Sequence, residues 1–257
     1  MAQPHDDIRS SAPLAGQVAL ITGGARRLGA AIARELHTAG ARIIVHYRGS
    51  AEPARRLAAD LERARSGSVA LASADLLAPH ASAQLAETAL AAFGRLDILV
   101  NNASTFYPTP LGTIDEQMWN DLIGTNLKAP LFLAQALSPA LQAHSGLILN
   151  LVDIHGLRPL SRHPVYSVAK AGLIMLTKSL ARELGPQVRV NAIAPGPVMW
   201  PESGVDAALR ARIIERTALK RGGTPEDIAR AALFFACAAP FVTGQILAVD
   251  GGRSIGW

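Results

Sequence analysis

Gln17-Val-Ala-Leu-Ile-Thr-Gly-Gly-Ala-Arg-Arg-Leu-Gly29 decides the fold. Its first five residues form a short apolar run that ends in glycines, the pattern of a buried strand. Glycines 23, 24 and 29 follow, then a helix-patterned stretch from Ala30 to Ala39 closed by Gly40. A strand that turns through glycines into a helix lets backbone approach a pyrophosphate and aims unpaired N–H groups at it. Arg27 stands where a third glycine often sits, so the pattern is imperfect as a phosphate loop.

The same alternation continues along the chain. Arg42-Ile-Ile-Val-His46 reads as a second strand and 52–66 as a second helix; Val69-Ala-Leu-Ala-Ser73 is a third strand, with a helix over 81–93. Leu96-Asp-Ile-Leu-Val100 is a fourth strand. Helical patterning then covers 115–143, with a kink expected near Pro130. A strand at 146–152, a helix through Tyr166 to about Leu184, and strands at 187–193 and 245–249 complete the series. Strands alternating with helices of this length predict a single-domain, Rossmann-type, doubly wound parallel sheet of seven strands with helices on both faces. Residues 1–14 read as a flexible leader and 15–257 as the one domain. An irregular segment near 199–215 is placed to serve as a substrate lid.

Composition narrows the class. The 257 residues are 49% hydrophobic but only 5% aromatic, which suits aliphatic helices laid on a parallel sheet. The single cysteine, Cys237, excludes an intramolecular disulfide and a cysteine-based metal cluster. The net charge is +5, yet the arginines are scattered and often sit beside acids, as in Arg182-Glu183, so no nucleic-acid face is expected. The acidic, polar N-terminus is unlike a signal peptide. No apolar run approaches the roughly 20 residues of a membrane span. A cytoplasmic protein is the expectation.

Chemistry concentrates between Asp153 and Lys170. Tyr166 and Lys170 are four residues apart, which puts a phenol and an ammonium on one helix face. A nearby cation is expected to lower the tyrosine pKa and make a proton donor of it. Asp153 follows an apolar strand, where open α/β sheets keep their functional groups. After the second strand the chain offers Tyr47, Arg48 and Ser50 instead of an acid. An arginine and a hydroxyl there favour a ribose 2′-phosphate, hence NADPH over NADH. Asp75 could accept from an adenine amino group or cap a helix. Asn101 and Ala103 present polar backbone and amide groups at the sheet edge. Asn126 could support Lys170 through water, or simply bend its helix. Pro195 and Gly196 stiffen a loop over the nicotinamide position, and Trp200 belongs to the lid or only to packing.

In this order and spacing Thr22-Gly…Gly29, Asn101-Asn-Ala103, Tyr166-x-x-x-Lys170 and Pro195-Gly196 resemble the short-chain dehydrogenase/reductases over residues 15–252. In that family the tyrosine moves the proton, the lysine binds nicotinamide ribose, an asparagine completes a relay and a serine polarises the carbonyl. Here the serine's neighbourhood reads Asn150-Leu-Val-Asp153, and a carboxylate donates to no carbonyl. With Arg26-Arg27, His46-Tyr47 and Asn101-Asn-Ala-Ser-Thr-Phe-Tyr-Pro-Thr-Pro110, the departure is similar to the pteridine reductases.

That resemblance implies NADPH-dependent hydride transfer to a C=N bond of a dihydropterin or dihydrofolate, in a homotetramer, with proton delivery by Tyr166 and Asp153. Lys170 and Asn126 complete its catalytic set. It implies cofactor contacts at Gly23, Arg26, Arg27, Leu28, Gly29, Tyr47, Arg48, Ser50, Asp75, Leu76, Asn101, Ala103, Ser104, Tyr166, Lys170, Pro195, Gly196 and Val198. Substrate contacts fall on Arg27, Ser104, Phe106, Asp153, Tyr166 and Trp200, with Phe106 stacking the pterin. A carbonyl reductase for 3-oxoacyl or sugar ketone substrates is the alternative. A non-catalytic NADPH-binding regulator ranks below both, because the tyrosine and lysine are intact.

Overall fold

The computed structural model describes residues 12–200 and 206–255. Strand β1 (Val18–Ile21) leads through the glycine turn into α1 (Arg27–Thr38); β2 (Arg42–Tyr47) is followed by α2 (Ala51–Ala64), and β3 (Val69–Ser73) by α3 (Ala81–Phe93). Then come β4 (Ile98–Asn101), α4 (Glu116–Ile123) and α5 (Ala129–Ala143), β5 (Leu147–Leu151), and the long α6 (Pro164–Leu184). The chain finishes with β6 (Arg189–Pro195), α7 (Ala207–Glu215), α8 (Pro225–Cys237) and β7 (Ile246–Val249). The seven strands form one parallel sheet in the order β3-β2-β1-β4-β5-β6-β7. The order reverses between β1 and β4, and in such sheets the crevice at the carboxyl ends beside that reversal is where ligands bind.

Both faces are covered. On one, Ile32 and Leu36 of α1, Leu57 and Leu61 of α2 and Phe235 of α8 pack over Ile21, Val45 and Val100. On the other, Leu85 of α3, Leu133 and Leu137 of α5 and Leu184 of α6 pack over Leu20, Ile44 and Leu99. Strands buried on both faces have no polar side to show, which is why their sequences read as unbroken apolar runs. Leu14, within the stretch expected to be a leader, is 1% exposed and belongs to the first core, its N–H bonded to the Ala39 carbonyl. The rest of that leader, before residue 12, lies outside the described residues.

The helix pair expected over 115–143 is interrupted near Pro130, in the turn that ends two residues before it. Residues Gly124–Lys128 form one wide π-helical turn, with the Ala129 N–H bonded to the Gly124 carbonyl. The cause is Asn126, whose Nδ2 donates to the Leu122 carbonyl at 2.9 Å and so takes the acceptor its own backbone N–H would use in an α-helix. Pro130 follows two residues after that turn, and because the chain stays helical through Lys128 its missing N–H deprives the preceding turn of one donor. Among the described residues no helix is long and apolar enough to cross a membrane.

Candidate active site

The turn after β1 and the turn after β4 are bonded into one unit. Thr22, 1% exposed, donates through Oγ1 to the Val100 carbonyl and accepts from the N–H groups of Asn102 (2.9 Å) and Ala103 (3.0 Å). Asn102 returns Nδ2 to the carbonyls of Thr22 and Gly23 at 2.8 and 3.0 Å. Gly29 is required by the same closeness, since a Cβ there would lie 2.3 Å from the Gly23 oxygen. Asn101 points the other way, into the sheet, where it donates to Asn150 Oδ1 at 2.9 Å, and Asn150 donates to Thr177 of α6. Asn101 is the asparagine expected at the cofactor; the one beside the glycine turn is Asn102. Successive strand residues face opposite sides, and this alternation carried the signal.

A cleft of about 320 Å³ opens beside this unit. Gly23, Arg26, Tyr47, Arg48, Ser50 and Asp75 line it, together with Leu76, Ala103 and Ser104. The Arg48 guanidinium lies 3.9 Å from the Asp75 carboxylate, both side chains about half exposed. Asp75 also accepts from the Leu77 N–H at 3.0 Å, so it caps a local turn rather than α3. Ala25, Gly49, Ala74, Thr105 and Thr125 line the same cleft, and nothing in the sequence marks them, since they are small or neutral residues without a motif of their own.

Arg27, Leu28 and Gly29 do not line it. Leu28 packs on the core. Arg27 has φ +54°, the left-handed region that favours glycine, which explains why its place is often a glycine. Holding a residue with a Cβ there costs about 1–2 kcal/mol. Its guanidinium reaches across to the Trp200 carbonyl at 3.1 Å, tying the glycine turn to the start of the expected lid. Arg210 of α7 lies over the Trp200 ring at 5.1 Å. Residues 201–205 of that lid lie outside the described residues. Pro195 ends β6, and Gly196 packs so closely on Asp250 that a Cβ would lie 2.5 Å from the Asp250 Cβ. Val198 is buried in the core rather than facing the cleft.

Beyond Ser104 the wall carries the reactive groups. Asp153, at the head of a 3-10 turn (Ile154–Gly156), accepts from the His155 N–H through Oδ1 at 2.8 Å and from the Tyr166 hydroxyl through Oδ2 at 2.7 Å. Tyr166 is buried on the first turn of α6. Lys170, one turn on and equally buried, donates Nζ to the Leu151 carbonyl at 2.9 Å and lies 5.7 Å from the Tyr166 ring centre. Phe106 is half exposed and meets Tyr166 edge-on at 4.8 Å.

These positions reverse one expectation. The tyrosine pKa is pushed up, not down: burial and then the Asp153 carboxylate hold it well above the usual phenol range, with the Ser104 hydroxyl pulling weakly the other way. The lysine instead gives way, its pKa lowered to about 8 by burial while Asp153 opposes the shift. Burial, the largest cause, and the carboxylate at hydrogen-bond distance both disfavour the phenolate. Tyr166 therefore keeps its proton at neutral pH. Asn126 is fully buried and accepts from Ser104 Oγ at 2.6 Å while donating to the carbonyls of Thr105 and Leu122. It steadies the Ser104–Thr105 wall. Among the described residues no group of three acidic, histidine or cysteine side chains is placed to hold a metal ion.

The chain matches the family model described as enoyl-(acyl carrier protein) reductase over residues 23–254. It is 40% identical over 242 residues to an uncharacterised oxidoreductase of Mycobacterium tuberculosis, covering 92% of this chain and 91% of that protein. It is 35% identical to the 3-oxoacyl-[acyl-carrier-protein] reductase of Chlamydia muridarum, with 94% and 98% covered. Identity to pteridine reductase 1 of Leishmania tarentolae is 34%, with 93% and 96% covered. The solved structure of a blue fluorescent protein from a metagenomic library, in complex with NADPH, superposes with a TM-score of 0.88 at 32% identity, covering 94% of this chain and 99% of that one.

Proposed function

Because the chain belongs to the short-chain dehydrogenase/reductase family of oxidoreductases, we propose that it is an NADPH-dependent pteridine reductase, reducing a C=N bond of a dihydropterin or dihydrofolate. The observation that carries the reading is the 2.7 Å bond from the Tyr166 hydroxyl to Asp153. A ketone reductase needs a second donor toward an oxyanion; an ionised carboxylate only accepts. Reduction of an imine instead needs one proton delivered to nitrogen. Tyr166 holds that proton, keeps it in a bond to Asp153 until substrate binds, and would exchange that bond for one to the substrate nitrogen.

The lining of the cleft suits the adenosine and phosphate part of a dinucleotide. Gly23 and Arg26 stand at its pyrophosphate end, and Arg48 and Ser50 where a ribose 2′-phosphate would lie. The reduced nicotinamide dinucleotide, when bound, supplies the hydride. Phe106 offers a flat apolar face to a heteroaromatic ring beside Tyr166, and Ser104 a hydroxyl held by Asn126. Lys170 keeps a buried positive charge near the phenol. Exposed apolar side chains on α4, α5 and α6 (Trp119, Phe132, Met175) and on α8 (Phe234) support assembly into a homotetramer.

Carbonyl reduction is the second reading, favoured by the relatives that are 3-oxoacyl reductases. NADPH oxidation with dihydrobiopterin, dihydrofolate and an acetoacetyl thioester, side by side with the Asp153→Ser variant, separates the two. Pterin turnover that falls at least tenfold in the variant supports the first. Turnover of the thioester alone, unchanged or improved in the variant, overturns it.

A further inference from the structure

His46 is 2% exposed at the end of β2, and its imidazole lies among three turns. The Gly23 N–H, in the turn after β1, donates to Nδ1 at 3.1 Å. Nε2 lies 3.1 Å from the carbonyl of Ala74, in the turn after β3. An N–H requires an acceptor and a carbonyl requires a donor, so both bonds exist together only in the neutral ring with its proton on Nε2. Backbone bonds reinforce the junction: Gly24 N–H donates to the His46 carbonyl at 2.9 Å, and Ala74 N–H to the Tyr47 carbonyl at 3.1 Å. Gly23, His46, Arg48, Ala74 and Asp75 all line the same cleft.

We propose that His46 is a positioning residue for the dinucleotide: its neutral ring fixes the glycine turn against the turn that carries Asp75. It thereby sets the span between the pyrophosphate end of the cleft and Arg48. The proposal rests on the cofactor reading above and is independent of which substrate is reduced.

Protonation would place a second N–H against the Gly23 N–H, two donors facing each other. Burial works against that, lowering the ring's pKa, while the Asp75 carboxylate and the Ala74 carbonyl favour the charged form. Arg48, paired with Asp75, and Arg26 are the cations lining the cleft. The strands beside β2 bring no titratable side chain, for β1 reads Val-Ala-Leu-Ile and β3 Val-Ala-Leu-Ala-Ser. The charged residues at the start of α2, Glu52, Arg55 and Arg56, are exposed on its solvent side.

The test is NADP+ affinity by calorimetry from pH 5 to 8 for the wild type and for His46→Asn and His46→Leu, with circular dichroism confirming folding. NADP+ survives acid, and its 2′-phosphate titrates near pH 6 in all three experiments alike, so differences between proteins isolate the ring. Asparagine keeps an acceptor for Gly23 but is too short to donate to the Ala74 carbonyl, and it does not titrate. At pH 8 it should bind more weakly than wild type and more tightly than leucine. In the acid range wild-type affinity should fall more steeply than that of the asparagine variant, by up to about tenfold per pH unit for one extra proton. The leucine variant should bind at least about tenfold more weakly throughout, and its Gly23 amide should exchange hydrogen faster without any ligand. Equal slopes for wild type and asparagine, or undiminished binding by leucine, overturn the proposal. Failure of the wild type to bind NADP+ at all removes the cofactor reading and this one with it, whereas failure to reduce a pterin leaves it standing.

Discussion

The Phe106 ring and the His163 imidazole are stacked, 4.8 Å between centres and 9° from parallel, at the mouth of the site. His163 directly precedes α6 and anchors its Nδ1 to the Ser161 carbonyl at 2.8 Å. A half-exposed phenylalanine that pairs with one flat nitrogen heterocycle is suited to pair with another. Phe106→Ala should raise KM for a dihydropterin about tenfold, since an aromatic pair contributes roughly 0.5–1.5 kcal/mol beyond the area it buries. kcat should change by less than about threefold. Steady-state kinetics with saturating NADPH decide it, and an unaltered KM would remove Phe106 from the substrate site.

Lys170 carries a cost of folding. Its pKa is about 8 in the folded chain against 10.5 for an ordinary lysine. Between those values the unfolded chain binds more protons, so stability rises with pH across that window and the penalty is complete below it. The shift corresponds to about 3 kcal/mol. Lys170→Met should therefore melt higher than wild type at pH 7 by calorimetry, less so at pH 10, while losing turnover. The lost bond to the Leu151 carbonyl offsets about 1 kcal/mol of the gain. A variant that melts lower at pH 7 would contradict this account.

Gly29→Ala tests the junction of the two turns. The new methyl would lie 2.3 Å from the Gly23 oxygen and 2.6 Å from Asn102 Nδ2, both held by other bonds. We expect a loss of about 1–3 kcal/mol in urea unfolding and at least tenfold weaker NADPH binding. Unchanged binding would show that the turn yields.

Arg48→Ala addresses the choice of dinucleotide. A charge-assisted bond to a 2′-phosphate should be worth at least tenfold in NADPH affinity, and NADH should bind within about twofold of wild type. Equal losses for both would mean that Arg48 serves the turn through Asp75 and selects nothing.

Much of this architecture is legible in the chain. Apolar runs separated by helical stretches are direct records of strands buried on both faces, and all seven strands lie within about two residues of their expected places. Asp153, Tyr166 and Lys170 were legible too, because one strand end and one helix turn are local geometry. Partners that meet across the sheet left weaker traces. Nothing in the sequence orients the His46 ring, and the upward shift of Tyr166 comes first from its burial and then from the carboxylate thirteen residues upstream. Pro130 marks the neighbourhood of the irregular turn, while the asparagine just before it, which competes for a carbonyl, carries no such mark in the sequence.

That wide turn at Gly124–Lys128 also acts as a phase shifter. An α-helix rotates about 100° per residue, so the one surplus residue in the turn changes the angular offset between what lies before it and what lies after. Asn126 faces Ser104 and Thr105, while Leu133 and Leu137 further on face the sheet. Excising Thr125 would restore a regular helix and make the backbone more ordinary, yet the two ends would then be out of step. Either the wall of the site or the seating of α5 would have to turn away, so the irregularity is what allows one helix to serve both.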